Sequence, residues 1–116
     1  MKRHQFSVVA GIDVHRDTVV VTVRRHRSDS DDEQETKTFE TFRDSLEEMT
    51  QWIVERGAEA VGLESTGVYW MPVVRVVHEK APNVLVLLVN PLEVKRRAGR
   101  KTDVNDATWL SELLEN

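Results

Sequence analysis

The run Ser7 to Val14, SVVAGIDV, constrains the fold of this 116-residue chain more than any other stretch. It consists of small and β-branched residues and ends by presenting one carboxylate, Asp13. In a strand, Val8, Ala10, Ile12 and Val14 share one face, and Val9, Gly11 and Asp13 share the other. Both faces are apolar apart from the aspartate, which suits a strand in the middle of a sheet covered on both sides. A carboxylate in that setting is costly unless a cation, a hydrogen bond or open solvent compensates it. We expect later segments to bring Glu64, Asp103 and Asp106 to this strand end, where the four together hold divalent metal.

A chain of this length supports one domain with a single core. No apolar run approaches the ~18 residues of a membrane span, and the N-terminus MKRHQF has no apolar signal core; a cytoplasmic location without a membrane partner is expected. Cysteine is absent, which excludes disulfides and thiolate metal sites. Metal must then be held by oxygen or imidazole, favouring Mg2+, with Mn2+ as a substitute. The net charge of −4 argues against nucleic acid only on average. Asp29, Asp31, Asp32, Glu33 and Glu35 fall in one segment, and Lys95, Arg96, Arg97, Arg100 and Lys101 in another. Charge runs are usually solvated surface, but the basic one leads directly into two aspartates and is the candidate nucleic-acid-binding segment.

Thr18 to Arg25 alternates as a second strand, and the three residues between it and the first are short enough for a hairpin. Residues 28–35 lack apolar anchors and read as a solvent-facing connection. Thr36 to Phe42 reads as a third, antiparallel strand. From Arg43 the period becomes helical: Phe42, Leu46, Met49 and Ile53 form a core stripe with Trp52 beside them, and Gly57 is placed to stop the helix. Ala58 to Glu64 is a buried strand closing in a polar turn. A second helix over 68–79 tolerates Pro72 in its first turn and presents Val73, Val76 and Val77 on one side. Val84 to Val89 is a continuous apolar strand of the kind buried on both faces. Leu92 to Lys101 is basic, and a third helix runs from Thr102 with Val104, Ala107, Leu110 and Leu114 as its apolar side. Strand–helix–strand units require parallel neighbours and right-handed crossovers, so the spatial order should be third, second, first, fourth, fifth. Parallel neighbours share their C-terminal ends, which sets Asp13 beside Glu64 at the sheet edge where α/β sites form.

Asp103 and Asp106 are three apart at a helix start and project to one side. Each carboxylate has an ordinary alternative: capping for Asp103 and Asp106, a hydrogen bond to the following turn for Asp13, and one to Ser65 or Thr66 for Glu64. Each alternative accounts for one or two residues; none accounts for four at one edge. Phosphodiester chemistry with two divalent ions needs several carboxylates converging from separate elements. His15, two residues after Asp13, is near enough to support it or to reach nucleic acid, although a lone turn histidine more commonly does neither. Tyr69 and Trp70 could stack on a base, but at the start of an apolar helix they are more commonly core or a docking surface.

Three blocks, GIDVHRDTVVVTV, LESTGVYW and VNPLEVKRRAGRKTDVNDATWLSELL, resemble those of the DEDD-type insertion-sequence transposases of the IS-one-ten group, which includes RNA-guided recombinases. The resemblance covers nearly the whole chain. It implies an α/β, ribonuclease H-like (RuvC-like) mixed sheet in strand order 3-2-1-4-5 with helices on both faces. It also implies that the catalytic, metal-binding tetrad is Asp13, Glu64, Asp103 and Asp106. Family members resemble one another in carrying a second, C-terminal domain with a nucleophilic serine. On that pattern residues 1–116 are the RuvC-like DEDD domain, the serine-bearing domain is not included, and Ser65 and Ser111 do not match the nucleophile. The implied partners are DNA, a structured guide RNA, and further copies in a homo-oligomeric full-length protein. Beside this reading stand a complete small nuclease or Holliday-junction resolvase acting through metal-activated water, and a noncatalytic nucleic-acid-binding remnant whose carboxylates only cap and brace.

Overall fold

Seven elements follow one another in the computed structural model, which describes residues 6–26, 33–64 and 67–89. They are β1 (Val8–Val14), β2 (Thr18–Arg25), β3 (Glu33–Glu40), α1 (Arg43–Glu55), β4 (Ala60–Glu64), α2 (Trp70–Lys80) and β5 (Leu85–Val89). The strands form a single sheet in the order β3-β2-β1-β4-β5. β1 to β3 meander antiparallel, and β4 and β5 join in parallel. This is the expected order, with β1 at the centre.

The β1–β2 turn closes with the His15 amide donating to the Thr18 carbonyl at 2.8 Å. At the other end of β1, the Glu59 carboxylate accepts from the backbone N–H groups of Ser7 and Val8 at 2.7 and 3.2 Å. Residues immediately before β4 thereby anchor the start of β1 and its register.

Alternation along β1 sends Val8, Ala10 and Ile12 into one core with Val19, Val21, Val61 and Leu63. Both described helices cover this same face, α1 through Leu46, Met49, Trp52 and Ile53, and α2 through Val73, Val76 and Val77. The opposite face carries Val9, Gly11, Ala60, Gly62 and Thr22 at its centre, all buried and mostly small. The third helix expected from Thr102 onward lies outside the described residues.

Gly57 ends α1 as expected, and in a specific way. Its φ of 82° is left-handed, its N–H donates to Val54 O at 2.9 Å, and Ala58 N–H donates to Ile53 O at 3.0 Å. This paired pattern is a Schellman motif, with Ile53 and Ala58 both in the core.

Four expectations need correction. The third strand begins at Glu33 and ends at Glu40, rather than spanning Thr36 to Phe42. The acidic residues missing an apolar anchor find charge instead: Arg25 stands opposite Glu33, and Arg56 grips both Glu35 carboxylate oxygens at 2.9 and 3.1 Å. Phe42 is not core but 68% exposed, because it is the extended N-cap of α1 and the helical phase starts after it. β5 is not buried on both faces: Leu85 and Leu88 are 46% and 45% exposed, as befits the last strand of the sheet, paired on one side to β4. Finally, α2 begins at Trp70 rather than Val68, which leaves Val68 and Tyr69 exposed.

Candidate metal centre

The sheet register positions the first two candidate carboxylates. Ile12 of β1 pairs with Leu63 of β4 in parallel, so Asp13 and Glu64 are the next residues along each strand. Residues in parallel register share a face of the sheet, and neighbouring strands run about 4.8 Å apart. Since Ile12 and Leu63 enter the helix-covered core, Asp13 and Glu64 belong to the opposite, small-residue face. Both are half-buried at the C-terminal ends of their strands. Opposite Asp13 on its other side stands Val20 of β2.

Among the described residues, Asp13 has a polar side-chain partner close at hand. His15 Nε2 lies 3.0 Å from Asp13 Oδ2, with side-chain exposures of 56% and 26% respectively. The i, i+2 spacing that places both on one face was legible in the sequence, yet a lone turn histidine carries little weight there. Glu64 lies opposite Val89 of β5, at the same end of the sheet.

A carboxylate pair at adjacent strand ends offers oxygen donors only, the chemistry suited to Mg2+ or Mn2+. Among the described residues, no group of three or more His, Asp or Glu side chains is gathered closely enough to hold an ion. Asp103 and Asp106 lie outside the described residues, as do Lys95, Arg96, Arg97, Arg100 and Lys101. So do Ser65 and Ser111.

The aromatic residues after Glu64 divide. Trp70 packs against the core and its Nε1–H donates to the Gly67 carbonyl at 3.0 Å. Tyr69 is exposed, so the core reading holds for one and not the other.

A transposase family model, that of the DEDD transposases of the IS110 group, matches residues 10–116. The chain belongs to this transposase family. No curated protein matches it in sequence. In structure, this transposase-family chain is similar to Thermus thermophilus RuvC in complex with Holliday junction substrate, with a TM-score of 0.63 at 17% identity over 94% of this chain and 79% of that one. A further Thermus thermophilus RuvC structure gives 0.60 at 19% identity, covering 80% and 68%. The Fowlpox virus resolvase in complex with substrate Holliday junction DNA gives 0.58 at 10% identity over 93% of both chains. The fold is therefore RuvC-like, within the ribonuclease H-like class. No helix among the described residues is long and apolar enough to cross a membrane.

Proposed function

We propose that this chain is the metal-binding catalytic domain of a DNA transposase, acting on DNA phosphodiesters during movement of an insertion sequence. The observation that supports the reading is the register of β1 against β4, which sets Asp13 and Glu64 side by side on one face at the C-terminal end of these two strands. Asp13 and Glu64 supply oxygen ligands from strand ends whose backbones are fixed by the sheet. Asp103 and Asp106 complete the tetrad from the segment that follows β5. When bound, two Mg2+ ions at such a site would activate a water or hydroxyl and stabilise the leaving oxygen of the phosphodiester. Lys95, Arg96, Arg97, Arg100 and Lys101 neutralise phosphates near the site, adding affinity without sequence information. A serine-bearing C-terminal domain, a structured guide RNA and a homo-oligomer belong to the same reading, as does a cytoplasmic location.

A second reading is supported by two of the similar structures, each of which is in complex with a Holliday junction substrate. In it the chain is a metal-dependent junction resolvase by itself. Cleavage of branched DNA by this chain alone would favour the resolvase, whereas metal and DNA binding without cleavage favours the transposase domain.

The experiment that tests the metal site is thermal unfolding with and without Mn2+ or Mg2+. Binding to the folded state alone raises the melting temperature by linkage. The wild-type chain should melt several degrees higher with millimolar Mn2+, and Asp13→Asn should lose most of that rise. Identical melting with and without metal would sink the reading.

A further inference from the structure

We propose that His15 is a positioning residue that orients the Asp13 carboxylate for the divalent cation, an inference that rests on the metal-site reading above. His15 Nε2 lies 3.0 Å from Asp13 Oδ2. An ionised carboxylate only accepts hydrogen bonds, so Nε2 carries the proton and donates it. The donation engages Oδ2 and stops the carboxylate from rotating, leaving Oδ1 to face a cation. Carboxylates that ligate metals are themselves held by hydrogen bonds, and loss of such an outer partner typically costs 10- to 100-fold in metal affinity or activity.

The local backbone is arranged for this contact. Asp13 lies on β1 and His15 directly follows the strand, its own amide bonded to Thr18 O at 2.8 Å in the hairpin turn. The turn thereby fixes the base of the imidazole without using the side chain. Replacing the side chain leaves that backbone bond available, and the ring is more than half exposed, so the fold does not depend on it. Among the described residues, the apolar core does not include His15.

The test compares Mn2+ affinity, read from the paramagnetic resonance signal of free Mn2+ during titration, for the wild type, His15→Ala and His15→Gln. Glutamine is the informative control because its Nε2 is as many bonds from the backbone as the imidazole Nε2, and it can donate the same hydrogen bond. We expect His15→Ala to weaken Mn2+ binding at least tenfold, His15→Gln to stay within about threefold of wild type, and all three to melt alike without metal. Alanine within twofold of wild type would overturn the proposal. Equal losses in both variants would also overturn it, pointing to direct ligation by the imidazole. If the wild type binds no Mn2+ at all, the metal site itself fails and the positioning role falls with it, an outcome distinct from the other two.

Discussion

At the scale of single residues, neighbouring apolar side chains with the same sequence signature have opposite fates. Phe42 and Leu46 are four apart and both fit the helical stripe, but Leu46 is fully buried and Phe42 is largely exposed. Truncating a buried leucine loses transfer energy and leaves a cavity, whereas truncating an exposed phenylalanine loses little of either. Leu46→Ala should therefore cost about 2–5 kcal/mol in chemical denaturation, and Phe42→Ala within about 0.5 kcal/mol. A large loss in the second would mean that Phe42 packs against something that its exposure conceals. The same contrast separates Trp70, anchored by its bond to Gly67, from exposed Tyr69 beside it.

Elements are held at their ends by a few polar devices. The Schellman turn at Gly57 needs a left-handed residue, and its φ of 82° suits glycine. Gly57→Ala should destabilise the chain by about 1 kcal/mol, read from the urea midpoint, because alanine must adopt the left-handed backbone. No atom obstructs the added methyl, so the cost is conformational rather than steric. A second device ties β3 to the C-terminus of α1. The Arg56 guanidinium, hydrogen-bonded to Glu35, holds that carboxyl below its ordinary range and is itself pushed up in return. Arg56 also lies over the Trp52 ring, 4.2 Å from its centroid, so the clasp reaches the edge of the core. A depressed carboxyl adds stability above its unfolded value of about 4.3, and that contribution is lost as pH falls through the lower folded value. Stability should thus decline between pH 5 and the acid range, and Glu35→Gln should flatten part of that decline. Superimposable pH profiles for the two proteins would remove the clasp as a source of acid sensitivity. Because both groups face solvent, the effect should also shrink in high salt.

For the whole molecule, the sheet gathers at one edge what the chain spreads over many residues. The β1–β2 hairpin and the C-terminal ends of β4 and β5 all lie toward the end where Asp13 and Glu64 sit. The DNA binding proposed above, with the basic run as its phosphate contact, predicts strong salt dependence. Each phosphate neutralised contributes about 0.9 to the slope of log affinity against log salt. Replacing Arg96, Arg97 and Arg100 together by alanine should weaken DNA binding at low salt and reduce that slope by up to about 3. An unchanged slope, measured by fluorescence anisotropy over a salt series, would assign the run to another role.

Among the described residues, the sequence by itself determined the types of the seven elements, the strand order and the carboxylate near the end of β1. Hydrophobic period separates strands from helices, and crossover handedness leaves few ways to arrange them. It also marked Gly57, because a glycine after an apolar helical stripe has few other uses. What only the tertiary structure decided were matters of partnership across space. The acidic residues Glu33 and Glu35 became strand because Arg25 and Arg56 stand against them, contacts that no local pattern announces. β5 lost its double burial to its place at the end of the sheet, which composition alone does not express. The bond between His15 and Asp13 likewise depends on a turn geometry that brings one ring nitrogen to one carboxylate oxygen, a distance that spacing permits but does not impose.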